Sequence, residues 1–168
     1  MEAIVAEYET ALLRYTARIL NSSTAAQDVV QNTFIKLFRA WKPGMHASAG
    51  LKSWLYRVAH NEAVDHIRRE SRLTLLHEKQ ANDPALTVCT DGHNCPMTTG
   101  EKHATVLSLM HTLHPREKQV LLLRLEEGLS YKEISRVTGR SEGNVGNLLH
   151  HGVRKLSAHL KKAGVITS

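Results

Sequence analysis

The sequence predicts an all-α chain built as two small helical domains joined by an irregular linker. Three observations carry that expectation. Of 168 residues, 42% are hydrophobic but only 5% aromatic, and there are four prolines. That is enough apolar material for cores but poor material for a β-sandwich, and the abundant Ala, Leu, Glu, Lys and Arg favour helix. Apolar residues recur at spacings of three and four through both ends of the chain, the period of one helical face. Residues 77–100 lack any period and carry the turn signals Asp83-Pro84, Asp91-Gly92 and Cys95-Pro96. The expected organisation is a domain over 1–76, a linker over 77–105 and a second domain over 106–168.

The elements follow in order. Glu2 to Leu20 places Val5, Tyr8, Leu12, Tyr15 and Ile19 on one stripe. Asn21-Ser22-Ser23-Thr24 interrupts it and supplies N-cap residues for a helix from about Ala25 to Trp41, with Val30, Phe34, Leu37 and Trp41 inward. Lys42-Pro43-Gly44 ends that helix, and a third runs from Leu51 to about Arg72 with Leu51, Leu55 and Val58 inward. Helix resumes near Glu101 with Val106, Leu109, Met110 and Leu113. Pro115 opens another helix that ends at Gly128. Ser130-Tyr131-Lys132-Glu133 fits a capping box, which starts a short helix with Ile134 and Val137 inward. Thr138-Gly139-Arg140 is a tight turn, and Ser141 caps a last helix.

Charge and cysteine usage narrow the function classes. The net charge is +6, distributed as +1 over 1–50, +2 over 51–76, −2 over 77–105 and +5 over 106–168. Two basic parts separated by an acidic connector suit two modules that touch a polyanion. No apolar run approaches the roughly 18 residues of a membrane helix. The acidic start MEAIVAEYET lacks a basic, apolar leader, so a cytoplasmic location is expected. Two cysteines make no disulfide framework. Neither a catalytic triad, a phosphate loop nor a carboxylate pair stands out, so no enzyme, cofactor or small-molecule substrate is expected. Cys89, His93 and Cys95, with His77 and His103 nearby, form a C-x3-H-x-C cluster open to a metal-binding or redox-sensing reading. Structural zinc normally takes four ligands at tighter spacings, which argues against it.

Two stretches carry the function. Short helix, glycine turn and longer helix over Ser130 to His151 form a helix-turn-helix arrangement. On a 100° wheel the longer helix puts Val145, Leu148, Leu149, Gly152, Leu156 and Leu160 on one side. Gly143, Asn147, His151, Arg154 and Ala158 lie opposite, flanked by Asn144 and Lys155. Amide, imidazole and guanidinium groups on the outward side suit base edges and phosphates. Gly143 and Gly146 each cost the helix about 1 kcal/mol relative to Ala and leave space for DNA to approach the backbone. In the third helix Trp54, Arg57, Asn61, Asp65 and Arg68 form one continuous stripe. Stacking, charge and amide groups along a line are what melted or single-stranded DNA needs. A helix-turn-helix repressor that dimerises through its front helices is the rival reading, and that polar stripe argues against it.

These residues resemble a known family. Asp28-Val29-Val30-Gln31-Asn32-Thr33-Phe34, Trp54-Leu55-Tyr56-Arg57-Val58-Ala59-His60-Asn61 and Asp65-His66-Ile67-Arg68-Arg69 look like region two of bacterial sigma factors. Leu113-His114-Pro115-Arg116-Glu117, Gly128-Leu129-Ser130-Tyr131-Lys132-Glu133-Ile134 and Ser141-Glu142-Gly143-Asn144-Val145 look like region four. The chain resembles the extracytoplasmic-function group, which has only those two regions. The resemblance implies core RNA polymerase, promoter DNA and an anti-sigma factor as partners. It implies polymerase contacts by Asp28, Gln31, Asn32, Ile35 and Arg39, and capture of the melted minus-ten element by the helix holding Lys52, Trp54, Arg57, Asn61, Asp65, Arg68 and Arg69. It also implies reading of the minus-thirty-five element by Arg140, Ser141, Glu142, Gly143, Asn144, Asn147, His150, His151, Arg154 and Lys155. Departures from the family pattern are Asn32 where Glu is usual, Ser135 where Ala is common, and Gly146, Asn147, His150 and His151 where Lys and Arg are frequent.

Overall fold

The computed structural model describes residues 2–42, 49–80 and 108–162, with side chains at 49 and 74–80 left aside. Its described residues form six α-helices and one short 3-10 turn. In the first half, α1 spans Glu2–Leu20, α2 Ser23–Ala40 and α3 Ala49–Gln80. The turn Met110–Thr112 leads to α4 (Pro115–Leu125), α5 (Tyr131–Thr138) and α6 (Glu142–Lys162). Helix α3 therefore runs four residues beyond the expected end of the first domain. The expected helix near Glu101 lies outside the described residues up to Leu107, as do Cys89, His93 and Cys95.

Local signals set the ends. Ser22 caps α2, its Oγ accepting from the Ala25 N–H at 3.2 Å. Ser130 and Glu133 close the expected capping box, with the Glu133 N–H reaching Ser130 Oγ at 3.3 Å and the Ser130 N–H reaching Glu133 Oε2 at 2.8 Å. A second box starts α4: His114 Nδ1 accepts from the Arg116 N–H at 3.3 Å, and Glu117 Oε2 accepts from the His114 N–H at 3.2 Å. Histidine is an uncommon N-cap, which is why the sequence did not suggest it. Helix α4 stops at Leu125 rather than at Gly128. Gly128 is instead the left-handed residue of the following turn (φ +66), which the Leu129 N–H closes on the Leu123 carbonyl at 3.1 Å.

Helices α1, α2 and α3 pack on one another, and so do α4, α5 and α6. The two helical domains that the sequence predicts also pack on each other. Helix α3 also packs on α5, and α1 on α4, and the buried residues of both halves belong to one apolar cluster. The reason lies in α3, which buries two faces. Leu51, Leu55, Ala59 and Ala63 make one buried face, while Ser53, Tyr56 and His60 make a second, more polar one. No helix among the described residues is long and apolar enough to cross a membrane.

Candidate nucleic-acid and polymerase interface

The stripe on α3 is open to solvent over most of its length. Arg57, Asn61, Asp65, Arg68 and Arg69 are exposed. Asp65 organises its end: Arg68 Nη1 lies 3.5 Å from its carboxylate, and Arg69 Nε donates to its carbonyl at 3.3 Å. These groups and Arg72 border one shallow concavity. The two other members sit differently. Trp54 is half-buried against the apolar cluster, and Lys52 is half-buried with its Nζ donating to the Glu127 carbonyl at 2.7 Å. Only part of the Trp54 ring is offered for stacking, and the Lys52 ammonium is engaged by the second half of the chain.

On α2, Asp28, Gln31, Asn32, Ile35 and Arg39 are all exposed. Asp28, Gln31 and Asn32 border a second concavity whose other wall is Glu62, His66 and Arg69 of α3. Arg69 thus adjoins both candidate surfaces. The sequence reading missed Phe38, which is 72% exposed beside Ile35 at 43%. Phe38 follows Phe34 by four residues, so periodicity alone places it inward; no helix among the described residues covers it. Phe34, placed on the inward stripe, is only half-buried.

The helix-turn-helix is held from within. Gly139 takes the left-handed conformation (φ +67) that the turn demands. The Ser135 hydroxyl donates to the Arg140 carbonyl across that turn, which gives the residue at the usual Ala position a clear role. Ser141 Oγ accepts from the Asn144 N–H at 3.3 Å and so serves as a cap. Val145, Leu149, Gly152 and Leu156 face inward, while Glu142, Gly143, Asn144, Asn147, His150, His151 and Arg154 are exposed. The expectation for Gly146 is corrected. A side chain there would meet the Tyr131 ring at 3.7 Å, so it faces α5 and not a ligand, whereas Gly143 meets nothing within 4 Å.

Two basic candidates are less open than expected, one by pairing and one by partial burial. Lys155 Nζ donates to both Glu117 oxygens at 2.9 Å, tying α6 to α4. Arg140 is half-buried, and its Nε has no hydrogen-bond partner among the described residues. Its charge lies near His60 of α3. Burial first, and Arg140 second, hold the His60 imidazole down to about 4. His60 Nδ1 is 3.0 Å from the Tyr15 hydroxyl. Burial followed by the Glu127 charge pushes the Tyr15 phenol well up. No group of three or more metal-binding side chains is assembled among the described residues.

Comparisons with known proteins agree on both halves. A family model described as Sigma-70 region 2 matches residues 4–73, and one described as Sigma-70, region 4 matches residues 103–156. The chain is similar to RNA polymerase sigma factor YlaC of Bacillus subtilis, 24% identical over 163 residues, which is 97% of this chain and 93% of that protein. Among solved structures it is similar to the sigma factor RpoE in complex with the anti-sigma factor NepR from Bartonella quintana. That match has a TM-score of 0.71 at 17% identity and covers 95% of this chain and 96% of that one. It is also similar to CnrH in complex with the cytosolic domain of CnrY, with a TM-score of 0.62 at 25% identity over 96% of this chain and 87% of that one.

Proposed function

Because this chain belongs to the sigma-70 family, in the extracytoplasmic-function group that carries regions two and four, we propose a division of labour between its two halves. The chain is a sigma factor, a protein of promoter-specific transcription initiation. Region two docks on core RNA polymerase through the exposed α2 face of Asp28, Gln31, Asn32, Ile35 and Arg39, to which the uncovered Phe38 adds apolar area. The α3 stripe from Arg57 to Arg69, with Lys52 and Trp54 at its start, captures the melted minus-ten element by charge, amide contacts and stacking. Helix α6 enters the major groove of the minus-thirty-five element with Asn144, Asn147, His150 and His151 towards base edges and Arg154 towards phosphate. The chain is not itself an enzyme: nucleotide transfer belongs to the polymerase. It works in the cytoplasm. CnrH was solved bound to the cytosolic domain of CnrY, which supports a regulatory partner of anti-sigma type here.

The observation that carries this reading is the open polar face of α6, anchored on its other side by Val145, Leu149 and Leu156 in a helix-turn-helix of unstrained geometry. The decisive experiment mixes the purified chain with core polymerase and a library of promoter fragments. Promoter-specific transcripts that require the chain are expected; a chain that leaves the core silent on every fragment overturns the assignment.

A further inference from the structure

Fixed positive charge is scarce on the polar face of α6. From Gly143 to Lys155 only Arg154 and Lys155 carry it, and Lys155 is held by both oxygens of Glu117. The middle of the face carries two consecutive imidazoles instead, His150 and His151, both exposed. Their rings meet edge to face, with centroids 6.0 Å apart and planes at 73°. At about 100° per residue they stand on either side of the line through Asn147 and Arg154. Each ring therefore flanks one side of the face assigned to the groove.

Among the described residues neither ring is paired with a carboxylate. Helices α4 and α5 pack on α6. On α4, Glu117 is taken by Lys155, Lys118 Nζ donates to Asn21 Oδ1 at 3.3 Å, Arg124 lies 5.6 Å over the Tyr131 ring, and Arg116 is exposed. On α5, Tyr131 sits against Gly146, one turn before His150, and Glu133 is closed on Ser130. The other charged groups of α5, Lys132 and Arg136, are cations. On α6 itself Glu142 belongs to the first turn, about 12 Å along the axis from His150. Arg154 follows one turn later, and His159 Nδ1 is bonded to the Lys155 carbonyl at 2.8 Å. Nothing in this surround supplies the two rings with a counter-charge, so that role is left to a ligand.

We propose that the upstream duplex draws protons from solvent onto His150 and His151, so that α6 holds its promoter element more tightly as the pH falls. The proposal rests on the assignment of α6 to the major groove of the minus-thirty-five element. A neutral imidazole offers one donor and one acceptor; the protonated ring offers two donors and a charge. Guanine presents two acceptors in the major groove, and phosphates line both of its edges. Such surroundings favour the charged ring over the neutral one. Histidine is the side chain whose ordinary titration falls between about pH 5 and 8, so the effect lies in that range. The gain in affinity is present below the ordinary imidazole range and is lost as the pH rises through the range of the DNA-bound rings. Arg154 keeps its charge throughout and supplies a contact that does not vary with pH.

The test uses the full chain assembled on core polymerase and a promoter fragment that it transcribes, with affinity measured at about pH 6 and about pH 8. The parent is expected to bind about tenfold more tightly at the lower pH, beyond any change it shares with a His150→Gln, His151→Gln double variant. That variant keeps hydrogen-bonding groups but has no proton to gain. A His150→Lys, His151→Lys double variant carries fixed charge and should bind tightly at both values. All of these positions are exposed, and equal helix content checks that the fold is kept. A parent whose pH ratio equals that of the Gln variant overturns the proposal. So does a Lys variant that keeps the parent's ratio, because the titrating group then lies elsewhere. Asn147→Ala tests the underlying assignment: it should change upstream base preference at both pH values and leave the ratio alone. If it does so while parent and Gln variant share one ratio, proton uptake falls and α6 remains the reader. If neither Asn147→Ala nor either histidine variant alters binding at any pH, both fall.

Discussion

His60 shows how a single buried side chain ties folding to pH. Its imidazole titrates at about 4, below the usual 6.5, because burial and the Arg140 charge disfavour the cation. Between those values the unfolded chain binds the extra proton. The contribution is therefore complete above pH 6.5 and disappears as the pH falls towards 4, a difference of about 3 kcal/mol. Thermal melts across that range should show the decline, and His60→Asn should flatten it; an equal slope in the variant would place the acid sensitivity elsewhere. Two glycines give a contrasting pair. A Cβ on Gly152 would lie 2.6 Å from Leu121 Cδ1 and 3.3 Å from its Cγ, and Leu121 is fully buried. Gly152→Ala should lower stability, since overpacking by about 1–3 kcal/mol outweighs a helix-propensity gain of about 1 kcal/mol. Gly143→Ala meets open space and should gain up to about 1 kcal/mol. Denaturant midpoints that move the same way for both would contradict the packing argument.

At the scale of an element, α6 and α2 each divide binding from stability. Asn147 and His151 share the exposed face of α6, so Asn147→Ala and His151→Ala should relax preference at single upstream positions by about 1–3 kcal/mol each. Arg154, further along, should affect all sequences alike and reduce the salt dependence. Transcription from promoter variants separates the two classes; uniform losses in all three mutants would remove α6 as the reader. On α2, Phe38 is so exposed that Phe38→Ser should leave stability within about 0.5 kcal/mol while weakening retention on core polymerase. Phe34→Ala should cost stability instead, because that ring packs against the cluster from a half-buried site. A Phe38→Ser chain retained on core like the parent would mean that this patch lies off the docking face.

The whole molecule shares one apolar cluster between its halves, reinforced by the seam around Glu127. Helices that bury their faces in a common core unfold together, so calorimetry of the free chain should give a single transition. Two resolved transitions would show that the halves are energetically independent and that the seam contributes little.

The sequence by itself determined the six helices, the caps at Ser22, Ser130 and Ser141 and the polar face of α6. Those depend on local rules: a period of 3.6, a serine before a glutamate three residues on, a glycine where φ is positive. The exposed stripe from Arg57 to Arg69 was legible for the same reason. Tertiary structure alone decided which polar residues are buried. Tyr56, His60 and Glu127 look in sequence like ordinary surface or motif residues, yet each is buried by a partner dozens of residues away. It also withdrew Lys52 and Lys155 into contacts with Glu127 and Glu117, left Phe38 uncovered, and set Gly146 against Tyr131. Periodicity reports that a helix has a face to bury. It cannot report how many faces a helix buries or what covers them, because that depends on long-range packing. Helix α3 buries a second, polar face against the helices of the second half, and so the two expected domains pack on one another.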